Sequence, residues 1–394
     1  MNMPFNFALV VSTLMFVVAF AVGPVSAAVI PEPPDINARS HLLIDLGSGQ
    51  VLSEYQADES LPPASLTKLM TSYVLSYELN QGSVSGDDLV DVSENAWAKK
   101  FPGSSLMWIE VGTKVSVENL HRGIIISSGN DASVAIAEHL AGSQDAFAEV
   151  MNKHAEELGM HGSHFVNAHG LPDSNHYMTA RDLATLAGAM ISRFPKEYEI
   201  YSEKEFTFNN ITQQNRNKLL WRDSTVDGLK TGHTSEAGYC LVASGKRGDM
   251  RLVSVVLGTK TLEARNREAQ KLLAYGFRYF DTHKVYAAND VVAGTKVWEG
   301  LVDQLNLGVD EDIHLTIPKG KHAELEMIQN IDPDLVAPIE QGDRYGELIV
   351  KLDGEVLATA PLVALQSIEQ AGFFARMTDT IKRRVQGVIG GAGD

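Results

Sequence analysis

Pro62-Pro63-Ala64-Ser65-Leu66-Thr67-Lys68 is the stretch around which the rest of the chain is interpreted. Two prolines end an extended segment, and an apolar run typical of a helix, residues 66–79, begins directly after Ser65. Residues three apart share one helix face, so Ser65 Oγ and Lys68 Nζ can meet. Burial would disfavour the charged ammonium and let Lys68 take the serine proton. Alternatively, Ser65 only caps a helix and Lys68 is a surface charge.

Composition bounds the possible classes of protein. The 394 residues are 44% hydrophobic and 21% charged, which is ordinary for a globular chain and long enough for two domains. The formal net charge of −17 argues against a nucleic-acid binder, which needs a basic face. The single cysteine, Cys240, excludes an intramolecular disulfide, and its strand-like surroundings predict a small buried residue.

The amino terminus is typical of an exported protein. Residues 1–28 are predicted as a signal peptide, because an apolar run over 5–22 is followed by Gly23-Pro24 and then by small residues. The usual Lys or Arg before the apolar run is missing, and an uncleaved membrane anchor is the alternative. Residues 29–38 contain three prolines and are predicted to be a linker.

Residues 39–282 are predicted to mix strands and helices. Thr179 and Asp182 have the spacing of a helix N-cap and its capping-box partner. Two strands, 239–244 and 250–257, are predicted to pair through a turn at 245–248. The other expected elements are a hairpin over 41–55, helices over 117–127 and 131–140, and an amphipathic helix over 262–280 that covers the sheet.

The carboxyl-terminal third has a different pattern. Residues 283–366 alternate in short segments between turn residues, which predicts an all-β domain serving as a spacer or docking surface. Residues 367–394 are predicted to form a basic amphipathic helix lying on a membrane surface, or else a helix packed on its own domain. Its apolar positions are Phe373, Phe374, Met377, Ile381, Val385 and Val388, and its basic positions are Arg376, Lys382, Arg383 and Arg384.

Ser128-Gly129-Asn130 lies at a break between two apolar helical segments. A hydroxyl and an amide there can face a cleft, where asparagine offers both a donor and an acceptor to a substrate amide. The alternative is an ordinary helix–helix turn, since all three residue types favour turns. A stretch of the same Ser-x-Asn form, Ser93-Glu94-Asn95, shows that this signal alone is weak.

Lys230-Thr231-Gly232-His233-Thr234 precedes the predicted strand pair. Glycine lets a substrate backbone come close to the sheet edge, while the lysine and threonine side chains can bind a carboxylate. The alternative is a solvated strand edge protected by a lysine.

The three motifs, Ser-x-x-Lys, Ser-Gly-Asn and Lys-Thr-Gly, are specific when they occur together in this order. With them the chain resembles the low-molecular-mass penicillin-binding proteins of the 5 and 6 type, the D-alanyl-D-alanine carboxypeptidases, over nearly its whole length. The resemblance implies an α+β catalytic domain in which helices flank an antiparallel sheet. A small all-β domain and an amphipathic terminal helix would follow it.

The resemblance also implies a role for each motif residue. Ser65 would attack the carbonyl between two D-alanines, Lys68 would act as its base, and Ser128 would pass the proton to the departing D-alanine. Arg265 is preferred to Arg267 as the carboxylate clamp, from its distance to the third motif. The backbone N–H groups of Ser65 and His233 would form the oxyanion hole. The implied substrate-binding residues are Asn130, Lys230, Thr231, Gly232, His233, Thr234 and Arg265.

The expected activity is removal of the terminal D-alanine from peptidoglycan pentapeptides through an acyl-enzyme, without a metal or other cofactor, in cell-wall maturation and cell shape. β-Lactams would acylate the same serine. The alternatives are a D,D-endopeptidase, a weak β-lactamase and a non-catalytic envelope scaffold, and the missing Glu-x-x-Leu-Asn motif lowers the lactamase alternative. The expected partners are peptidoglycan stems and the membrane surface, and the expected location is the periplasmic side of the inner membrane.

Overall fold

The computed structural model describes residues 30–390, so the predicted signal peptide over 1–28 lies outside the described residues. A five-stranded antiparallel sheet, in the order β2-β1-β9-β8-β7, forms the centre of the first domain. Its strands and the short strands around it are β1 Ser40–Asp45, β2 Val51–Tyr55, β3 Leu89–Asp91, β4 Lys114–Ser116, β5 Glu205–Phe208, β6 Ile211–Gln214, β7 Val226–Thr234, β8 Gly238–Arg247 and β9 Met250–Thr259.

Helices cover both faces of this sheet. Alternation along β8 sends Cys240 and Val242 into one core and Leu241 and Ala243 into the other, as the two-residue period of a strand requires. The last two helices of the domain, α7 and α8, pack on the second core, and α1 to α6 pack on the first. The helices are α1 Lys68–Gln81, α2 Val117–Arg122, α3 Asn130–Ala141, α4 Gln144–Glu157, α5 Ala180–Arg193, α6 Pro195–Tyr198, α7 Leu219–Arg222 and α8 Leu262–Tyr279.

Several predicted elements of this domain are confirmed. β1 pairs with β2 as the expected hairpin, and β8 pairs with β9. The turn between β8 and β9 is tighter than predicted, because the strands extend to Arg247 and begin again at Met250. Thr179 caps α5, since its Oγ1 accepts from the Asp182 N–H at 3.0 Å.

The segment around Ser65 differs from the simple helix start expected from the sequence. Residues Ala64–Thr67 form a 3₁₀ turn, and the α-helix begins only at Lys68. The Leu66 N–H donates to the Pro63 carbonyl at 3.1 Å, which is the tighter three-residue hydrogen bond of a 3₁₀ turn. Side chains three apart eclipse in that geometry, so Ser65 and Lys68 remain neighbours.

The helix predicted over residues 117–127 is not uniform. α2 ends at Arg122, and Gly123–Ser127 continue as a π-helical segment. The wider turn ends at Ser128, which has φ of +60° in the left-handed region. A 3.6-residue apolar period does not distinguish an α-helix from this short wider turn, and π segments are common at functional sites.

The second domain is all β, as its pattern predicts. A six-stranded sheet has the order β14-β16-β17-β12-β11-β15, and β10 pairs separately with β13. Buried aliphatic side chains between these strands form the core of this domain. Its strands are β10 Phe280–Tyr286, β11 Val291–Trp298, β12 Gln304–Gly308, β13 Ile313–Pro318, β14 Glu326–Ile331, β15 Leu335–Val336, β16 Arg344–Leu352 and β17 Glu355–Ala364.

A buried carboxylate joins the two domains. Asp45, at the end of β1, accepts hydrogen bonds from Thr316 Oγ1 at 2.8 Å and from Thr282 Oγ1. Both threonines are buried and belong to β13 and β10 of the second domain. Charge-assisted hydrogen bonds of this kind fix the orientation of β1 relative to the β10–β13 pair.

The chain continues into α9, Phe373–Gly390. Among the helices of the described part, none is both long and apolar enough to cross a bilayer. The predicted helical stripe also includes Arg384, Val385 and Val388, whose side chains lie outside the part of the chain that is described.

Candidate active site

The three motifs and the loop near residue 170 surround one cavity of about 570 Å³. Ser65 reaches it from the 3₁₀ turn, Ser128 and Asn130 from the π segment and α3, and Thr231 to Thr234 from β7. The Ser-x-Asn stretch at Ser93-Glu94-Asn95 lies elsewhere, where Ser93 Oγ donates to a Glu138 carboxylate oxygen at 2.5 Å. Of the two Ser-x-Asn stretches, only Ser128-Gly129-Asn130 therefore lines the cavity.

Lys68 is fully buried directly beneath Ser65. Its Nζ lies 3.1 Å from Ser65 Oγ, 2.7 Å from Asn130 Oδ1 and 2.7 Å from the His169 carbonyl oxygen. Asn130 and the His169 carbonyl thus hold the amine in place, while Ser65 remains partly accessible from the cavity. The amide oxygen of Asn130 orients Lys68, a contact that sequence reasoning did not include.

The environment of Lys68 favours the neutral amine. Burial, with a smaller contribution from the Arg216 guanidinium, lowers the pKa of Lys68 to about 7, and Asp131 opposes the shift. About half of the population is then unprotonated near neutral pH. A neutral amine 3.1 Å from a hydroxyl can accept its proton, which is the requirement for activating a serine.

A second serine–lysine pair lies on the other side of the cavity. Lys230 Nζ donates to Ser128 Oγ at 2.9 Å, and both side chains are buried. Burial lowers the pKa of Lys230 well below its usual value, and the nearby charges of Lys68 and Arg216 act in the same direction. The cavity therefore contains two serine hydroxyls, Ser65 and Ser128, and each is hydrogen-bonded to a buried lysine.

Gly232 has a role that the sequence did not reveal. A Cβ built on it would lie 2.7 Å from the Pro63 carbonyl oxygen, which is closer than real side chains approach. Glycine here lets β7 pack against the 3₁₀ turn that carries Ser65. The expected reason was close approach of a substrate backbone, whereas the observed contact is between two segments of the protein.

The remaining residues of the third motif differ in exposure. Thr231 is buried and lines the cavity, whereas the Thr234 hydroxyl accepts from the Ala237 N–H at 3.0 Å. His233 is exposed and stacks on Tyr239 with ring centres 3.9 Å apart. β7 therefore presents the buried hydroxyl of Thr231 inside the cavity and the exposed imidazole of His233 at its edge.

Arg265, rather than Arg267, lies at the cavity. Its guanidinium donates only long hydrogen bonds, 3.3 Å to the Gly232 carbonyl and 3.5 Å to the Arg216 carbonyl, and its Nε has no partner among the described residues. Burial lowers its pKa to about 10, so it stays charged at neutral pH. Arg267 instead pairs with Glu268 at 2.7 Å and lies mostly exposed.

Two residues near the site were missed by sequence reasoning. Arg216 lines the cavity, and its Nε donates to the Ser127 carbonyl at 3.3 Å. Asp131 is buried, and its carboxylate accepts backbone N–H bonds from Met107, Trp108 and Ile109, which fixes that loop beside Asn130. Neither residue has a spacing that singles it out in the sequence.

The loop near residue 170 closes one side of the cavity. His169 is mostly buried and stands edge-on to Phe101 with ring centres 5.7 Å apart. Burial lowers the pKa of His169 to about 3, so its imidazole is neutral. Within the described residues, no three His, Cys, Asp or Glu side chains are grouped as metal ligands.

Comparisons with known proteins agree with this geometry. A family model described as D-alanyl-D-alanine carboxypeptidase matches residues 27–261, and one described as penicillin-binding protein 5, C-terminal domain, matches residues 280–370. D-alanyl-D-alanine carboxypeptidase DacA of Escherichia coli (strain K12) is 46% identical over 358 residues, which are 90% of this chain and 89% of that protein.

Two further relatives come from Haemophilus influenzae. Its D-alanyl-D-alanine carboxypeptidase DacA is 42% identical over 381 residues, or 96% of this chain and 97% of that protein. The crystal structure of its penicillin-binding protein 5 has a TM-score of 0.83 and 44% identity, and covers 86% of this chain and 99% of that one. The chain therefore belongs to the D-alanyl-D-alanine carboxypeptidase family of penicillin-binding proteins, with the C-terminal domain of penicillin-binding protein 5.

Proposed function

We propose that this protein is a serine-type D-Ala-D-Ala carboxypeptidase that trims peptidoglycan pentapeptides through an acyl-enzyme on Ser65. The observation that carries the proposal is the contact of 3.1 Å between Ser65 Oγ and a fully buried Lys68 Nζ. Family membership supplies the substrate class, and the cavity supplies a serine with its base.

Acylation begins at Ser65. Lys68 takes the hydroxyl proton as Oγ attacks the carbonyl between the two D-alanines. Asn130 Oδ1, 2.7 Å from Lys68 Nζ, holds the amine in line with the hydroxyl. The backbone N–H groups of Ser65 and His233 are assigned to the oxyanion hole, where they stabilise the negative charge of the tetrahedral intermediate.

Departure of D-alanine needs a proton on its nitrogen. Ser128 supplies it and is itself reprotonated by Lys68, which carries the proton taken from Ser65, so Lys68 becomes neutral again. Lys230 orients the Ser128 hydroxyl for this transfer, because its Nζ donates to Ser128 Oγ at 2.9 Å.

The terminal carboxylate of the substrate is the second point of recognition. Arg265 is charged and lines the cavity with donors that are only weakly used inside the protein. A guanidinium with free donors matches the two oxygens of a carboxylate. Thr231 and Thr234 line the same cavity as Arg265. The Thr231 hydroxyl can donate a further, neutral hydrogen bond to the carboxylate.

Hydrolysis of the acyl-enzyme then returns the free serine. Lys68 activates the incoming water, because its amine has passed the Ser65 proton to the leaving D-alanine and can accept a proton from the water, which it then returns to Ser65. β-Lactams present an amide that mimics the dipeptide, and they acylate Ser65 by the same first step.

The activity is tested by giving the purified protein a pentapeptide that ends in D-Ala-D-Ala and measuring free D-alanine. We expect release by the wild-type protein and none by Ser65→Ala. A cross-linked muropeptide serves as a second substrate, because products from it identify endopeptidase action. Undiminished D-alanine release by Ser65→Ala would contradict the proposal.

We further propose that the protein works on the periplasmic side of the inner membrane, attached through α9. The side chains of α9 that face the second domain are polar. Arg376 donates to Gln370 at 2.9 Å, Asp379 accepts from the Glu299 N–H at 3.2 Å, and Thr380 donates to the Glu299 carboxylate at 2.8 Å.

The four large apolar side chains of α9 within the described part of the helix point away from that domain. Phe373 and Phe374 are 66% and 79% exposed, and Met377 and Ile381 are also exposed. A helix packed on its own domain would bury these residues and expose its polar side. The reversed arrangement suits the interface of an anionic bilayer, where the exposed Lys382 adds electrostatic attraction in a chain of net charge −17.

A further inference from the structure

A buried polar cluster lies behind the catalytic cavity, centred on Ser72 Oγ. Tyr201 OH donates to this oxygen at 2.8 Å, and His121 Nε2 lies 2.6 Å from it. Ser72 and Tyr201 are 0% exposed and His121 is 1% exposed. Buried polar groups cost free energy unless they are hydrogen-bonded, so these contacts are required for the three segments to pack together.

Two members of the cluster lie in helices that lead to a motif, and the third packs against the strand that carries the third motif. Ser72 lies in α1, four residues after Lys68 and therefore on the same helix face. His121 lies in α2, which runs directly into the π segment that ends at Ser128.

Tyr201 connects the cluster to the third motif. It lies in a 3₁₀ turn, Glu199–Ser202, that packs against β7. A Cβ built on Gly228 would lie 3.2 Å from Tyr201 Cβ, and Gly228 is two residues before Lys230. The single oxygen of Ser72 therefore joins the three segments that together build the cavity.

The hydrogen-bond directions depend on a neutral imidazole at position 121. Tyr201 donates to Ser72 Oγ, and we assign the Ser72 proton to the bond with His121 Nε2, which accepts it in the tautomer protonated on Nδ1. Burial lowers the pKa of His121 to about 4, and the Arg122 charge acts in the same direction. An apolar side chain at this position would leave the Ser72 proton without that acceptor.

We propose that His121 is a positioning residue for acylation: through Ser72 it fixes the segment that presents Ser128 relative to the helix that presents Lys68. It touches no substrate. An outer ion pair supports the same junction, since Arg122 Nε lies 3.0 Å from both carboxylate oxygens of Glu203, two residues after Tyr201. The proposal rests on the carboxypeptidase activity proposed above.

The test compares His121→Leu, which removes the acceptor, with His121→Gln, whose amide oxygen can still accept from Ser72. The matched control is His139→Gln, at an exposed histidine of α3. For each protein we would measure the single-turnover rate of acylation by a fluorescent penicillin, kcat and KM for a pentapeptide, and the thermal midpoint.

We expect acylation by His121→Leu to slow by about ten-fold or more, with KM within about two-fold of wild type, because the loss is in the alignment of reacting groups. His121→Gln should recover to within about three-fold of the wild-type rate. The control should match wild type. A residue with only a structural role would lower the thermal midpoint and leave both kinetic constants unchanged.

Equal acylation rates in His121→Leu and His121→Gln, whether fast or slow, would overturn the proposal. If His121→Leu does not fold, Tyr201→Phe decides, because it removes only the hydroxyl that donates to Ser72. It should slow acylation several-fold, and a wild-type rate would overturn the proposal. A wild-type protein that neither labels nor releases D-alanine would contradict the proposed function itself, which a loss confined to the variants would not.

Discussion

Two buried lysines, each in contact with a serine, determine the chemistry of this cavity at the scale of single residues. Lys68 and Lys230 have no salt-bridge partner within the described chain, and burial is the main cause of the lowered pKa of each. Removing a charge in this way is the usual route by which a lysine becomes a base at neutral pH.

The pH dependence of acylation follows from Lys68. Below a pKa of about 7 its amine is protonated and cannot accept the Ser65 proton, whereas above that value it can. We therefore expect the second-order rate constant for acylation by a fluorescent penicillin to rise as the pH passes about 7 and to level off above it. A rate that is flat with pH, or that rises only near the pKa of an exposed lysine, would contradict a role for neutral Lys68.

The carboxylate clamp can be tested with two neighbouring arginines. Charged hydrogen bonds contribute about 1.5–3 kcal/mol, so Arg265→Gln should lower kcat/KM for the pentapeptide by about 10- to 150-fold. Arg267→Gln is the matched control, because Arg267 lies outside the cavity and pairs with Glu268. Equal losses in the two variants would remove Arg265 from its assigned role.

The three motifs were recognisable because their residue types and order are specific, and Arg265 was proposed from the family resemblance and its distance to the third motif. Sequence reasoning did not reach Arg216 or Asp131. Arg216 comes from a polar loop without a periodic pattern, and Asp131 acts by accepting backbone N–H groups from a segment more than twenty residues away. Contacts of this kind depend on the path of the chain, which local spacing does not encode.

At the scale of elements, the close packing of loops against the Ser65 turn shapes the site. Gly170 has φ of +84°, and a Cβ built on it would lie 1.9 Å from the Ala64 carbonyl oxygen. Gly82 has a similar φ of +73° at the end of α1, with open space around it. Alanine at Gly82 would therefore cause backbone strain alone, whereas alanine at Gly170 would cause the same strain and a clash with the turn that carries Ser65.

We expect Gly82→Ala to cost about 1 kcal/mol of folding stability, the usual penalty of a left-handed alanine, and to leave acylation unchanged. Gly170→Ala carries the same strain plus the clash, so it should destabilise the protein further and slow acylation at least ten-fold. Urea unfolding and penicillin labelling of both variants provide the measurements. Normal labelling by Gly170→Ala would show that the loop does not support the Ser65 turn.

The elements themselves were predictable to different degrees. The Thr179 cap and the pairing of β8 with β9 follow from local residue types and alternation. The 3₁₀ turn at Ala64–Thr67 and the π segment at Gly123–Ser127 do not, because tertiary packing selects these turns over the α-helix that the apolar period suggests.

At the scale of the whole molecule, the proposed membrane attachment and the proposed activity belong to different parts of the chain and can be tested separately. Removing residues 372–394 deletes α9 and its exposed apolar stripe but leaves the catalytic cavity and the core of the second domain intact. We expect the shortened protein to stay in solution when sedimented with anionic vesicles and to keep its D-alanine release. Continued sedimentation of the shortened protein with the vesicles would show that α9 is not the anchor.

Folding stability should also depend on acid through buried histidines. Burial is the main cause that lowers the pKa of His121 and His176 to about 4 and of His169 to about 3. An unfolded histidine binds its proton below about pH 6.5, so the unfolded state is favoured as the pH falls from there toward 4. The free energy of unfolding should drop by about 1.4 kcal/mol per pH unit for each histidine.

Urea unfolding between pH 7 and pH 4.5 measures this slope. His121→Gln removes one of these groups and should lower the slope by about 1.4 kcal/mol per pH unit, whereas the exposed His139→Gln should not change it. A wild-type slope no steeper than that of His121→Gln would contradict the burial of a neutral imidazole at position 121.

The central claim is that Ser65 forms the acyl-enzyme of a D-Ala-D-Ala carboxypeptidase, and mass spectrometry after incubation with penicillin tests it most directly. We expect one penicilloyl adduct per chain, mapped to the peptide that contains Ser65, absent from Ser65→Ala and formed more slowly when excess pentapeptide is present. An adduct on another residue, or an unchanged adduct in Ser65→Ala, would contradict the assignment of the nucleophile.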